Sequence, residues 1–289
     1  MAMTRIADSR DFTHRLLLAL ACLLLLGGAL RISGARAETV VKLAGTGSAT
    51  PLVEALGSAY TRANPQVRIQ LMLPPMGSSA GQRAVMAGAI DLAMAGKPLG
   101  QAERDKGGRD WLLGRTPFLI LTREAGRLDN IDSAALADIY AGKTTTWRDG
   151  SPIRLVLRPP SESDTKLLRA LSPAMDSAVD LAQARSGLPV AANDLDNEAL
   201  LEKTPGALGT GNYALTMGLG SKLHPVSLNG VAPTLDNLAK GAYPHFKTIY
   251  VARGPALSDA AQSFLDFILS AQGRKVLAAQ GYLPEIHDK

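Results

Sequence analysis

The chain has 289 residues, of which 46% are hydrophobic, 20% charged and 4% aromatic. This composition excludes collagen-like, low-complexity and multispan membrane proteins, and the length allows two domains. The formal net charge of +5 falls to +2 once the first 37 residues are set aside, and no run of basic residues is longer than two. The sequence therefore predicts no nucleic-acid partner.

The first 37 residues have the pattern of an export signal. Three arginines precede an unbroken apolar run over 16–26, and Ala35-Arg36-Ala37 supplies a small-x-small cleavage pattern. Extended to residue 30, the apolar segment has 15 residues, fewer than the roughly 20 that a membrane-spanning helix needs. We therefore expect a signal peptide over 1–37, a mature chain that begins at Glu38 and a periplasmic location. An uncleaved membrane anchor is the alternative.

The single cysteine, Cys22, lies inside this apolar run and is followed by four leucines. A lipid-anchor cysteine would close the apolar segment, so lipidation is not expected here. The mature chain then has no cysteine, and its stability must come from its hydrophobic core.

From residue 39 onward, short β-rich runs alternate with helical patterns, which is typical of an α/β fold. Thr50 is predicted to cap the first helix, with Pro51 at its first position. The predicted strands are 39–44, 67–73, 90–94, 118–122, 153–157, 208–213 and 246–252. The predicted helices are 50–64, 80–87, 133–141, 165–184, 194–203 and a long final helix capped by Ser258.

Strand 118–122 leaves the first α/β unit, and strand 246–252 returns to it after a middle segment with its own strands and helices. We therefore predict two lobes: 38–117 together with 245–289 form lobe 1, and 118–244 form lobe 2.

Small hydroxyl-bearing residues lie at helix N-termini in three predicted turns: 46–50 is the first turn, 77–79 the second and 161–165 the third. Free N–H groups and the helix dipole favour an anion at such helix ends. Helix capping alone is the ordinary explanation for each turn taken singly. Arg158 ends an apolar strand just before the third turn, where its guanidinium could bind a tetrahedral oxyanion. The candidate ligand-binding residues are Gly47, Ser48, Ala49, Thr50, Ser78, Ser79, Arg158, Ser161, Ser163, Asp164 and Thr165.

Four stretches, in the same order along the chain, resemble the periplasmic phosphate-binding proteins of ABC transporters, a branch of the type II solute-binding proteins. They are 45–51, which opens a helix; 77–81 with 91–93; 136–143 with Trp147, Asp149 and Arg158-Pro159; and 241–244 with 281–284. The resemblance implies an α/β fold of two lobes, each a mainly parallel sheet flanked by helices, with the ligand cleft between them. It also implies a non-enzymatic monomer without cofactor that binds phosphate for a membrane permease.

The sequence departs from this family at two positions. The family's proton-accepting aspartate is replaced by Gly96, which Lys97 follows, and the third turn carries Ser163-Asp164-Thr165 in place of Ser-Gly-Thr. A protonated oxyanion needs an acceptor, and lysine only donates. The acidic side chains in the three turns are Glu162 and Asp164, and Asp164 is the predicted replacement because it lies between Ser163 and Thr165. Another anion, such as sulfate, molybdate or an organic phosphate, and a sensor or adhesion role remain alternatives.

The segment 77–81 also matches G-x-S-x-G between a predicted strand and a predicted helix, the context of a hydrolase nucleophile. Two prolines separate the strand from this turn, and nothing in the sequence places a base beside Ser79. A serine hydrolase is therefore the distant alternative. Histidine and cysteine pairs at ligand spacing are absent from the sequence, so no metal site is predicted.

Overall fold

The computed structural model describes residues 38–285. The predicted signal peptide lies outside the described residues, and so does the predicted cleavage site before Glu38. Within the described range, no helix is both long enough and apolar enough to cross a membrane.

The described chain contains ten strands and eleven α-helices. The strands are β1 (Thr39–Gly45), β2 (Val67–Leu71), β3 (Leu92–Ala95), β4 (Arg109–Thr122), β5 (Asn130–Ile131), β6 (Arg154–Leu155), β7 (Ala207–Asn212), β8 (His224–Leu228), β9 (Phe246–Arg253) and β10 (Leu283–Pro284). The helices are α1 (Thr50–Thr61), α2 (Ser78–Met86), α3 (Gln101–Asp105), α4 (Ser133–Tyr140), α5 (Ser163–Arg169), α6 (Pro173–Ala184), α7 (Asp194–Lys203), α8 (Tyr213–Gly218), α9 (Leu235–Ala239), α10 (Asp259–Leu269) and α11 (Ala271–Ala279).

The strands form a mixed sheet in the order β2-β1-β3-β9-β4-β7-β6, with β8 and β10 also paired to β4. β1 pairs in parallel with β2 and β3, and β6 pairs in parallel with β7. Every described pairing of β4 and β9 is antiparallel. The α/β class is thus confirmed. The sheet contains more antiparallel pairs than predicted, because β4 and β9 run antiparallel to their neighbours.

β4 connects two apolar clusters. Up to Pro117 it pairs with β9, and from Phe118 onward it pairs with β7. Leu113 belongs to a core formed around β1, α1 and α10, whereas Phe118 belongs to one formed around α4, α6 and β8. We keep the lobe boundaries at 117/118 and 244/245 as a prediction. The change of partner at residue 118 supports it, since each cluster packs its own helices.

The predicted helix caps can be compared with the caps in the structure. Ser258 caps α10 as predicted, because its Oγ accepts a hydrogen bond from the Ala261 N–H at 3.3 Å. The prediction that Thr50 caps the first helix is wrong: Thr50 is already helical and follows a 3-10 turn over Gly47–Ala49. The long final helix is two helices, since Ser270 has extended backbone (ψ 169°) and caps α11.

Candidate functional site

Three turns that lie far apart in the sequence meet at one cleft of about 530 Å³. The hydroxyl-bearing side chains that line it are Thr46, Ser48, Ser78, Ser79, Ser161, Ser163 and Thr248. Because these groups come from distant segments of the chain, only the tertiary structure brings them together. Convergent hydroxyls in a concave site can surround a small polar ligand on several sides.

The second turn delivers Ser78 and Ser79 at the start of α2. Gly77 precedes them with φ +79°, a left-handed value that favours glycine. The Gly96 N–H donates to Ser78 Oγ at 2.9 Å, and the Gly96 carbonyl oxygen accepts from Thr248 Oγ1 at 2.8 Å. Within the described residues Ser78 Oγ donates no hydrogen bond, so its proton can bind an acceptor in the cleft. The N-terminal N–H groups and the dipole of α2 favour negative charge at the same place.

The charged residues that line the cleft are four cations and one carboxylate: Arg83, Lys97, Lys166, Lys247 and Glu162. The first three are exposed to solvent, whereas Lys247 is buried, with 8% of its surface exposed. The cleft therefore carries a positive balance of side-chain charge, which attracts anions and raises their local concentration.

Behind the cleft lies a buried ion cluster, made up of Arg158, Asp164, Asp194 and Lys247. Lys247 Nζ lies 2.6 Å from Asp164 Oδ1 and 3.1 Å from Asp194 Oδ1. Arg158 Nε lies 3.4 Å from Asp164 Oδ2, and Arg158 Nη2 lies 3.8 Å from Asp194 Oδ1. Two positive and two negative charges thus balance one another, which burial requires.

The cluster keeps Asp194 and Lys247 ionised. Burial by itself would raise the pKa of Asp194, but Lys247, Arg158 and a hydrogen bond from Thr46 together lower that pKa below its ordinary value. Burial by itself would lower the pKa of Lys247, but Asp164 and Asp194 raise it above its ordinary value. Thr46 Oγ1 donates to Asp194 Oδ2 at 3.2 Å, so the cluster also fixes the first turn. Lys247 therefore remains a cation at the cleft.

The structure divides the predicted site residues into two groups. Those that line the cleft are Ser48, Ser78, Ser79, Ser161 and Ser163, and those outside its lining are Gly47, Ala49, Thr50, Arg158, Asp164 and Thr165. Thr165 points inward and donates to the carbonyl oxygens of Arg158 and Pro159. Whether the five serines bind a ligand stays a prediction.

Asp164 does not fit the expected role of a free acceptor in the cleft. It is 1% exposed, and its two carboxylate oxygens face Lys247 and Arg158. The carboxylate that lines the cleft is Glu162, at the N-cap position of α5. Sequence spacing could not separate the two residues, because the start of the helix decides which one faces the cleft.

Lys247 and Asp194 are the residues that sequence analysis missed. Lys247 interrupts the apolar pattern of β9, a signal that could have marked it as a buried, paired lysine. Asp194 opens α7, where an acidic residue is explained by the helix dipole alone. Lys247 pairs with Asp164, which lies 83 positions away along the chain, and with Asp194, which lies 53 positions away. Pairs this far apart leave no signal in the local sequence pattern.

The hydrolase alternative gains no support from this geometry. Among the described residues that line the cleft beside Ser79 there is no histidine, the usual base of a serine nucleophile. Within the described part of the chain, no group of three or more histidine, cysteine, aspartate or glutamate side chains is arranged to hold a metal ion.

An α/β fold whose distant turns converge on one polar cleft is typical of the two-lobed solute-binding proteins. Residues 33–272 match the family model of the PBP superfamily domain, and the chain belongs to this family.

Curated relatives include phosphate-binding proteins named PstS. The one from Bacillus subtilis is 24% identical over 258 residues, covering 86% of this chain and 82% of the relative. The one from Borreliella burgdorferi is 20% identical and covers 85% of this chain and 90% of the relative. PstS 2 of Streptococcus agalactiae is 28% identical over 109 residues, and this chain spans 36% of its length.

Solved structures share the fold. A protein of Clostridium perfringens, assigned as a phosphate ABC transporter substrate-binding protein and solved with bound phosphate, has a TM-score of 0.70 at 21% identity, covering 86% of this chain and all of that one. A phosphate-binding protein of Stenotrophomonas maltophilia has a TM-score of 0.65 at 14% identity, covering 86% and 91%. At these identities the likeness concerns the architecture.

Proposed function

We propose that this protein is an exported solute-binding protein that captures phosphate and presents it to the membrane permease of an ABC-type importer. It acts as a monomer and catalyses no reaction. The observation that carries this proposal is the cleft itself, where hydroxyls from three distant turns, the N-terminus of α2 and a positive balance of charge converge.

Phosphate is favoured over other anions by two lines of support. The relatives that this chain resembles over more than four-fifths of its length are named as phosphate-binding proteins. The cleft also contains both donors and one acceptor, the carboxylate of Glu162. An oxyanion that keeps a proton near neutral pH needs such an acceptor, whereas sulfate needs donors only.

The decisive experiment measures anion binding by the mature protein purified from the periplasm and freed of bound ligand. Phosphate, sulfate, molybdate and nitrate are compared by thermal shift and titration calorimetry at constant ionic strength. A ligand that binds only the folded state stabilises it by roughly 2.7 kcal/mol at a concentration of 100 Kd. We expect the largest shift with phosphate. If only sulfate or only molybdate raises the melting temperature, that anion is the ligand and phosphate is not.

Two further measurements separate this function from its alternatives. The same preparation should not hydrolyse a chromogenic ester, and if it does, activity lost in Ser79→Ala would favour the hydrolase. Reconstituted transport of phosphate with the cognate permease should require the protein. A protein that binds phosphate but leaves transport unchanged would point to sensing.

A further inference from the structure

Arg158 makes its hydrogen bonds to protein groups, one of which, Glu162, lines the cleft. Its Nη1 donates to the Ala191 carbonyl oxygen at 2.7 Å, and its Nη2 donates to Glu162 Oε2 at 3.3 Å. Its Nε faces Asp164, and its side chain is 2% exposed. Arg158 is also absent from the residues that line the cleft. The side chain is thus covered by its protein partners and does not line the cleft, and its Nε makes no hydrogen bond within the described residues.

Lys247 is placed differently. It lines the cleft, and its ammonium group donates one hydrogen bond to Asp164 and one to Asp194. A lysine ammonium has three N–H donors, so one remains. The neighbouring residue on β9, Thr248, bonds to Gly96, which in turn donates to Ser78. Lys247 is thus held on the strand that also supports the second turn.

We propose that Lys247 is the cation that contacts the bound anion at the floor of the cleft, and that Arg158 stabilises the buried ion cluster without contacting the anion. This inference rests on the proposed function and names a residue of that same site. Arg158 pairs with Asp164 and Glu162 and so contributes to the stability of the cluster. Because two carboxylates fix the lysine in one conformation, little side-chain freedom is lost when the anion binds.

The test compares anion affinities of purified variants by calorimetry. Lys247→Gln should lower the affinities for phosphate and for sulfate equally, by about 10- to 100-fold, which is the range for a hydrogen bond from a charged donor. The equal effect on both anions is expected because a donor does not distinguish them. Arg158→Lys should change both affinities by less than about threefold while lowering the melting temperature. Lys240→Gln, at an exposed lysine at the end of α9, is the matched control.

Because Lys247→Gln leaves two buried carboxylates with one cation, it can unfold the protein. The double variant Lys247→Gln/Asp194→Asn keeps the cluster neutral and should fold, with the same loss of affinity. Native affinity in this folded double variant would overturn the assignment of Lys247. A loss of tenfold or more in folded Arg158→Lys would overturn the assignment of Arg158. If the parent protein binds no anion, the proposed function fails together with this inference.

Discussion

Glu198 should make the stability of this protein depend on pH. The side chain lies on α7 one turn after Asp194 and is 3% exposed. Its Oε1 accepts a hydrogen bond from Thr216 Oγ1 at 2.7 Å, and its Oε2 has no hydrogen-bond partner within residues 38–285. Burial, aided by the nearby carboxylates of Glu202 and Asp194, raises the pKa of Glu198 to about 7 against the lowering effect of the hydroxyl bonds.

The sign of the effect follows from proton linkage. In the unfolded chain this glutamate titrates at its ordinary value of 4.5, so the folded state binds the proton more tightly between pH 4.5 and about 7. The free energy of unfolding therefore falls as pH rises through that window. The difference between the two values corresponds to roughly 3 kcal/mol that is available at low pH and lost above pH 7.

Glu198→Gln should remove this loss, because an amide stays neutral at every pH. The variant is expected to be more stable than the parent by up to about 3 kcal/mol at pH 8 and about equally stable at pH 4. Urea denaturation of both proteins across pH 4–8 measures the difference. Glu54→Gln, at an exposed glutamate on α1, is the control and should show no such trend. A difference between Glu198→Gln and the parent that is the same at pH 5 and pH 8 would refute the reasoning.

Four further outcomes are expected. N-terminal mass analysis of exported protein should find Glu38 as the first residue, and an intact leader would contradict this. Glu162→Gln should lower the affinity for phosphate by about 10-fold and leave the affinity for sulfate unchanged. Asp164→Asn should mainly lower the melting temperature. If calorimetry gives the reverse result, Asp164 is the acceptor. Phe264→Ala, at a fully buried ring 5.0 Å from that of Tyr60, should lower the unfolding free energy by about 3–5 kcal/mol; a loss below about 1 kcal/mol in urea would be inconsistent with a close-packed core. Saturating phosphate should reduce the radius of gyration in X-ray scattering, because donors lie on both sides of the cleft; an unchanged radius with full binding would mean that the lobes are fixed.

The sequence predicted those elements whose signals lie within a few residues. Helix α7 has the predicted bounds 194–203 because Asn193 caps it and its amide oxygen accepts from the Asp196 N–H. Ser258 likewise marked the start of α10. The three hydroxyl-bearing turns were visible too, since glycine, serine and threonine signal turns and helix starts locally.

The tertiary structure decided which of these residues share a site. Asp164 and Glu162 are two positions apart, yet one pairs with Lys247 inside the protein and the other lines the cleft. The sequence of β4 likewise does not indicate that its neighbours β7 and β9 run antiparallel to it. The physical reason is the range of the forces involved. Capping and apolar periodicity act over one or two turns of chain, whereas ion pairing and burial depend on residues that folding brings together from far apart.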